Sequence, residues 1–505
     1  MTTPPSDSWD RLVSAALVGT GRRAVPDTPD LPATPADVPA RALLDRAVLA
    51  AVRRDAGYAP SARTPVTPDE DPERPEVGAA ADRRLAEILA SRPELLPEWL
   101  RLAADSGLSP ARATVPTLLD RGVGDSELRP MIVAAVGPRA RWLARFKPAW
   151  SYANAVLLPG DRYRERDWTH GTPGERRHAL AALRATDPAA ARELLAEAWP
   201  GLRQADQRRH LLETLATGLG TDDEPLLDRA LDDRSANVRG QALALLTRLP
   251  DSAHAHRLRG YVRELARTDE RGGIAVGPVG PDRRDILRDL TLVVTGREPD
   301  TAATRAERAS TLVTHAPLDV WTDLFGQTPD RIVARLDRAD ETRLRETFAG
   351  AAGLQGDAAW ARALLRAIGT GLVDPRSRHY RDRGALQLAG LFAALSPDER
   401  CRALLDAADD DTTLLALDQV IRTVPGPWSP ELCDWVVRRL HRPLKRKSDI
   451  SGFRVFCFVA AEHLSPDLHT ALPDRPPGGD DTAAEAPYLR LRDTLRFRHD
   501  MTREL

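Results

Sequence analysis

An all-α protein, an α-solenoid of stacked helical hairpins joined by Pro-rich linkers, is the fold class this 505-residue sequence predicts. Three observations lead there. Apolar residues recur at helical spacing wherever a period is visible. Two consecutive helix pairs repeat one plan. Many of the 41 prolines directly follow a capping residue, where a fixed φ and a missing N–H start a helix rather than break it.

The central repeat reads most clearly. In 235–250, Val238, Ala242, Leu245, Leu246 and Leu249 share a face, while Arg239, Gln241 and Arg248 fall elsewhere. Leu226, Leu227, Ala230 and Leu231 mark a shorter helix before it, so the two form a hairpin. Residues 187–199 offer Leu194, Leu195, Ala198 and Trp199. Residues 204–219 follow with Leu211, Leu212, Leu215 and Leu219, so that Leu215 precedes its counterpart Leu245 by 30 residues. Such a period suits helix pairs that cannot bury their apolar faces alone and must stack.

Helix starts are marked at Thr172-Pro173, Asp187-Pro188, Ser396-Pro397, Ser429-Pro430 and Ser465-Pro466. Thr172 with Glu175, Thr221 with Glu224, and Ser396 with Glu399 fit the reciprocal capping box. Between the central helices, Asp232, Asp233 and Ser235 are placed to accept hydrogen bonds from the free N–H groups of the second helix. Arg239, one turn inside, is placed to bridge to an Asp of its own or the adjoining repeat.

The flanks carry the same period. Trp9, Leu12, Val13, Ala16 and Leu17 share a face near the start, and 81–90 and 97–104 continue the pattern. Segments 358–369, 384–395, 399–408, 413–421 and 430–440 are further amphipathic candidates, and 453–461, despite its β-like residues, reads as a buried helix. Residues 24–40, 59–78 and 473–486 are Pro-rich and poor in apolar side chains, and read as exposed, mobile linkers. Gly and Pro in 268–282 predict a loop, although Ile274-Ala275-Val276 could pair as a brief strand. The resulting division is 1–170, an N-terminal helical region with an Arg/Trp-rich segment; 171–267, the repeat core; 283–472, a C-terminal helical region; and 473–505, a linker and terminal helix.

Composition restricts function. The 72 basic and 74 acidic side chains nearly cancel, so no global field steers the chain to nucleic acid or an anionic membrane, and any polyanion site must be local. The basic residues are nearly all Arg which, with abundant Ala and Pro, suggests a GC-rich bacterial genome. Three widely separated cysteines, Cys401, Cys433 and Cys457, suit buried thiols better than a disulfide framework or zinc site. Without a secretory-type N-terminus or a long apolar run, the reading is cytoplasmic, with no membrane partner.

The spacing of Asp233, Val238, Arg239, Ala242 and Leu246 resembles the HEAT-repeat pattern. More narrowly, 171–195 joined to 222–252, together with 16–23 and 137–150, is similar to an uncharacterised bacterial family catalogued as a domain of unknown function. That resemblance implies no catalytic residues. It does imply a setting, since genes of this family often stand beside those of a MoxR-type AAA+ ATPase, a von Willebrand factor A protein and a SWIM zinc-finger protein. One of the first two is the implied protein partner.

Two local patches are candidate binding surfaces. The window 139–178 sets nine basic residues against four acidic ones and interleaves Arg141, Arg145, Trp142, Trp150 and Trp168. That mixture could stack bases and bind phosphates, or anchor an irregular segment on the first repeat helices. The second, 438–447, holds Arg438, Arg439, Arg442, Lys445, Arg446 and Lys447 with no acid. It could dock an acidic partner surface or nucleic acid, or serve as a solvated helix end facing the negative helix pole. Gly19 and Gly21 beside Arg22 and Arg23 lack the Lys-Ser/Thr of a phosphate loop and read as the end of the first helix. His254 and His256, two apart on a helix, diverge, and the Asp-rich run at 406–415 lacks the pattern of a calcium loop. No catalytic motif, cofactor site or metal site is recognised. The expectation is therefore a non-enzymatic scaffold or adaptor that binds protein through a solenoid surface, with a nucleic-acid-binding, conceivably glycosylase-like, protein as the alternative.

Overall fold

The computed structural model describes residues 6–28, 31–32, 37–56, 74–293, 300–338, 342–369, 384–408, 412, 414–442, 444, 447–472, 474 and 482–505. The chain divides into two compact units, Met1–Pro68 and Asp69–Leu505. Among the described residues the structure is helical apart from one small hairpin and one isolated bridge.

The first unit pairs two helices, Ser6–Val18 and Pro39–Ala56, around Leu12, Ala15 and Leu43. Gly19, at φ +88°, ends the first helix, with its N–H donating to the Ala15 carbonyl at 3.0 Å, as the sequence indicates. The face expected for this helix is only partly buried. Leu12 lies in the core, while Val13 and Leu17 point to solvent.

In the second unit, helices Ala79–Ser91, Leu96–Asp105, Val115–Gly124 and Leu128–Val136 surround Ile88, Trp99, Leu118 and Ile132. The helices Pro173–Thr186, Pro188–Ala198, Ala205–Glu213, Glu224–Ala230 and Ala236–Leu246 enclose a second cluster. It contains Leu195, Leu212, Leu215, Leu227 and all five expected residues of the central helix, Val238, Ala242, Leu245, Leu246 and Leu249, with Arg248 exposed. From Leu258 onward a third, larger cluster runs through the C-terminal helices. There Trp321, Phe348 and Trp360 pack ring against ring at 4.9 and 5.1 Å between centroids. Helices Thr342–Gln355 and Gly384–Ala393 meet at Gly353 and Gly390, and a Cβ on Gly353 would approach the Gly390 backbone to 3.1 Å.

The C-terminal segments read as helical are helices, including 453–461 within Lys447–His463. Thr172 with Glu175 and Ser396 with Glu399 form reciprocal caps. Asp187 and Ser429 also cap, whereas Ser465 begins a short 3-10 helix without a side-chain cap. The Thr221–Glu224 box does not form. Asp223 accepts from the Gly220 N–H, while Glu224 accepts from Ala253 and His254 N–H at 2.8 and 2.7 Å and so caps the next helix, Ala253–Leu265.

Three sequence expectations change. Ile274–Val276, read as loop, pairs antiparallel with Ala266–Thr268. Asp269 accepts from Arg271 and Gly273 N–H, Gly272 takes φ +77°, and Ile274 is fully buried, so turn chemistry and one apolar anchor outweigh the Gly/Pro composition. The linker 59–78 ends early. Val77 is buried, and the backbone of 75–77 pairs with Ser109 at 2.9 Å in both directions, satisfying polar groups that composition alone leaves open. The linker 473–486 likewise ends where helix Thr482–Glu504 begins. Residues 59–73, 473 and 475–481 of the linkers, 29–30 and 33–36 of 24–40, and 409–411 and 413 of the Asp-rich run lie outside the described residues.

That last helix has a consequence for topology. Its Phe497 and Met501 complete the core beside Ala79–Ser91, and Arg498 grips Glu98 at 2.6 and 2.9 Å. Arg84 grips Glu504 at 2.5 and 2.6 Å. The second unit therefore joins its two ends, whereas each element of an open repeat array touches only its sequence neighbours.

Candidate functional site

The Arg/Trp window is mostly spent inside the fold. Arg141 donates to Asp161 at 2.7 Å and to the Val156 carbonyl at 2.6 Å. Burial pushes the Asp161 carboxyl up, but Arg141 and the Leu158 N–H more than offset this and leave it below the usual carboxylate range. His178 lies 3.4 Å from Asp161, and burial first and Arg141 second push its pKa down. Trp150 is buried, its indole N–H donating to Asp120 at 2.8 Å and its ring covered by Lys147. Trp168 is buried beneath Arg176. Neither ring can stack a base. Trp142 is half-buried, edge-on to the exposed Phe146 at 4.9 Å, and Arg145 is exposed. The structure does not bring these residues into one cleft.

The second patch divides in the same way. Arg438 is exposed at the end of helix Pro430–Leu440, Arg439 donates to the Thr412 carbonyl at 3.0 Å, and Arg442 is half-buried. Arg438 and Arg439 face the negative helix pole. Lys445 and Arg446 lie outside the described residues, and Lys447 opens helix Lys447–His463.

Sequence reading missed a set of arginine clasps, buried at Arg184 and Arg208 and half-exposed at Arg257 and Arg288. Arg184, wholly buried, donates to the Asp223 carboxylate and to the carbonyls of Thr217, Pro188, Leu215 and Gly218. Arg208 holds Asp233 with two bonds of 2.7 and 2.9 Å, and Arg288 holds Asp228 and Asp232. Arg257 joins Asp228 to Asp289. Arg288 lowers the Asp232 pKa directly. At Asp233 burial acts upward, and the bonds from Arg208 and the Ser235 N–H prevail. The corner at Asp232 and Asp233 therefore joins successive elements, although not as expected in detail. Asp233 accepts from the Ser235 N–H, Ser235 makes no side-chain cap, and Arg239 donates to the Asp233 carbonyl at 2.8 Å rather than to a carboxylate. The signal was the pairing of Arg and Asp across 25 to 60 residues, which spacing along one helix cannot reveal.

Exposed apolar side chains concentrate in the first unit. Leu44, Val48 and Val52 lie at four-residue spacing on helix Pro39–Ala56 and are 66, 60 and 59% exposed. On the other helix Val13, Leu17 and Val18 are also exposed, Leu17 at 84%. Scattered exposed leucines are ordinary, but stripes on both helices of a pair whose own core has three residues are not. The Leu44, Val48 and Val52 spacing is visible in the sequence; which face it occupies depends on Leu43 turning inward.

Fold and site together define an all-α protein with a densely clasped helical body and an apolar helical pair at its N-terminal end. The chain belongs to a family of unknown function, DUF5691, which matches residues 11–505. No curated protein and no solved structure matches it. Among the described residues no helix is long and apolar enough to cross a membrane. All three cysteines are buried and free.

Proposed function

We propose that this protein is a non-enzymatic scaffold or adaptor that binds another protein, with a body built as a HEAT-like α-solenoid of stacked hairpins whose two ends are joined by the last helix. The observation that carries the reading is the pair of exposed apolar stripes, Val13 with Leu17 and Leu44 with Val48 and Val52, since such patches mark protein contacts. Support for stacking comes from the clasps. Arg208 to Asp233 and Arg288 to Asp228 and Asp232 tie the central helical pair to the elements before and after it, as repeats that cannot stand alone require. The resemblance of the central blocks adds a bacterial setting in which a MoxR-type ATPase or a von Willebrand factor A protein is the partner, and the sequence composition adds the cytoplasm as the compartment. The test is co-purification from native lysate with wild type and with Leu44→Lys/Val48→Lys, both confirmed folded. A stoichiometric partner lost in the variant is expected; recovery of the chain alone, from either, refutes the reading.

A second reading, nucleic-acid binding, is favoured only by Arg162, Arg164 and Arg166, exposed in one short segment. Labelled DNA or RNA retained at low salt, and released by Arg164→Glu/Arg166→Glu, would replace the first reading. Arg141 is unsuitable for this test because its substitution strands Asp161.

A further inference from the structure

Helices Lys447–His463 and Thr482–Glu504, the turn Pro93–Leu95 and Arg422 line a half-open cavity of about 500 Å³. This lies at the seam where the last helix closes on the start of the second unit, and its size suits a small molecule. Leu95, Val455, Phe458, Pro487 and Leu491 line it, with Cys457 among them. Burial pushes the Cys457 thiol up, so that wall is neutral as well. The charges gather on the same lining. Arg490 pairs with Glu94 at 3.3 Å, and Glu462 is pushed up by burial first and by the nearby Glu94 second. The lining carries two carboxylates, Glu94 and Glu462, and Glu94 is engaged by Arg490. Arg454, exposed, pairs with no acidic group among the described residues. A half-open pocket with one apolar wall and the guanidinium of Arg454 at its lining suits one kind of guest, because the tail gains by leaving water and the head gains a charge-assisted hydrogen bond.

We propose that this cavity binds a small amphipathic acid, its apolar tail against Val455, Phe458 and Leu491 and its single carboxylate at Arg454. The proposal does not rest on the protein-binding reading, because every residue lining the cavity belongs to the second unit. The full chain is titrated calorimetrically with decanoate, decanol and decylamine. Decanoate should bind at one site, decanol roughly tenfold more weakly, and decylamine not at all. Arg454→Gln should bring decanoate down to the affinity of decanol, and Val455→Trp, which fills the chamber, should abolish both, with far-UV spectra confirming that each variant is folded. Leu44→Lys should leave every titration unchanged. No binding at millimolar concentration overturns the proposal. So does binding that ignores the head group, that survives Val455→Trp, or that is lost in Leu44→Lys.

Discussion

Arg184→Met is the substitution whose effect follows most directly from the structure. The methionine retains most of the aliphatic stem, so packing changes little, but it removes a guanidinium that serves five acceptor groups in the interior. Asp223, 1% exposed, is then left with the Gly220 N–H and a distant Arg192 at 3.9 Å, and three carbonyls of the 215–218 turn lose their donor. Removing one partner of such a buried pair costs about 3–5 kcal/mol. Arg192→Met provides the control. Its side chain is 21% exposed and reaches Asp222 and Asp223 only at 3.8 and 3.9 Å, so its loss should cost below about 1 kcal/mol. A chain of this length does not unfold in one step, so the readout is local. Amide hydrogen exchange across 211–231 should accelerate by more than two orders of magnitude in Arg184→Met and little in Arg192→Met. Adding Asp223→Leu should restore part of the protection by removing the stranded charge. Equal exchange in the two single variants would refute the idea that these clasps hold successive elements together.

Other outcomes follow from the same contacts. Leu245→Asp removes burial worth about 1.5–3 kcal/mol and inserts an unpaired charge, so thermal melts should show clear destabilisation, while Arg248→Ala on the exposed face should melt like wild type. Trp150→Ala should cost about 3–5 kcal/mol, visible as a lower urea midpoint. His315 is pushed down to about 4 by burial first and by His254 second, against about 6.5 in the unfolded chain. The unfolded state therefore binds more protons between those values, and stability is full above about pH 6.5 and falls as pH drops toward about 4. His315→Gln should lose less stability than wild type between pH 7 and 5 in urea melts; equal losses would remove His315 as the cause. Arg498→Ala frees Glu98 and the carbonyls of Ala461 and Leu464, so limited proteolysis should release the last helix.

Local structure was legible in the sequence because it rests on local physics. The stripe Val238 to Leu249, the caps at Thr172, Asp187, Ser396 and Ser429, and the end of the first helix at Gly19 depend on residues within a few positions of one another. What depends on distant residues was not. Glu224 leaves its own turn to cap a helix 29 residues on, and Phe497 and Met501 complete a core begun near Val77. The Arg/Trp window shows the same limit at the site. Its composition is that of a nucleic-acid surface, yet Asp120 and Asp161 lie close enough to claim Lys147 and Arg141, while Trp150 and Trp168 turn inward. The exposed Leu44 stripe was hidden for the opposite reason, since an apolar helical pattern is ordinarily a core pattern.

The scaffold reading is tested most directly by cross-linking mass spectrometry on the full chain with its co-purified partner. The account predicts cross-links from the partner concentrated around the helices Ser6–Val18 and Pro39–Ala56, and their disappearance in Leu44→Lys/Val48→Lys. Cross-links that cluster elsewhere and persist in that variant would contradict it.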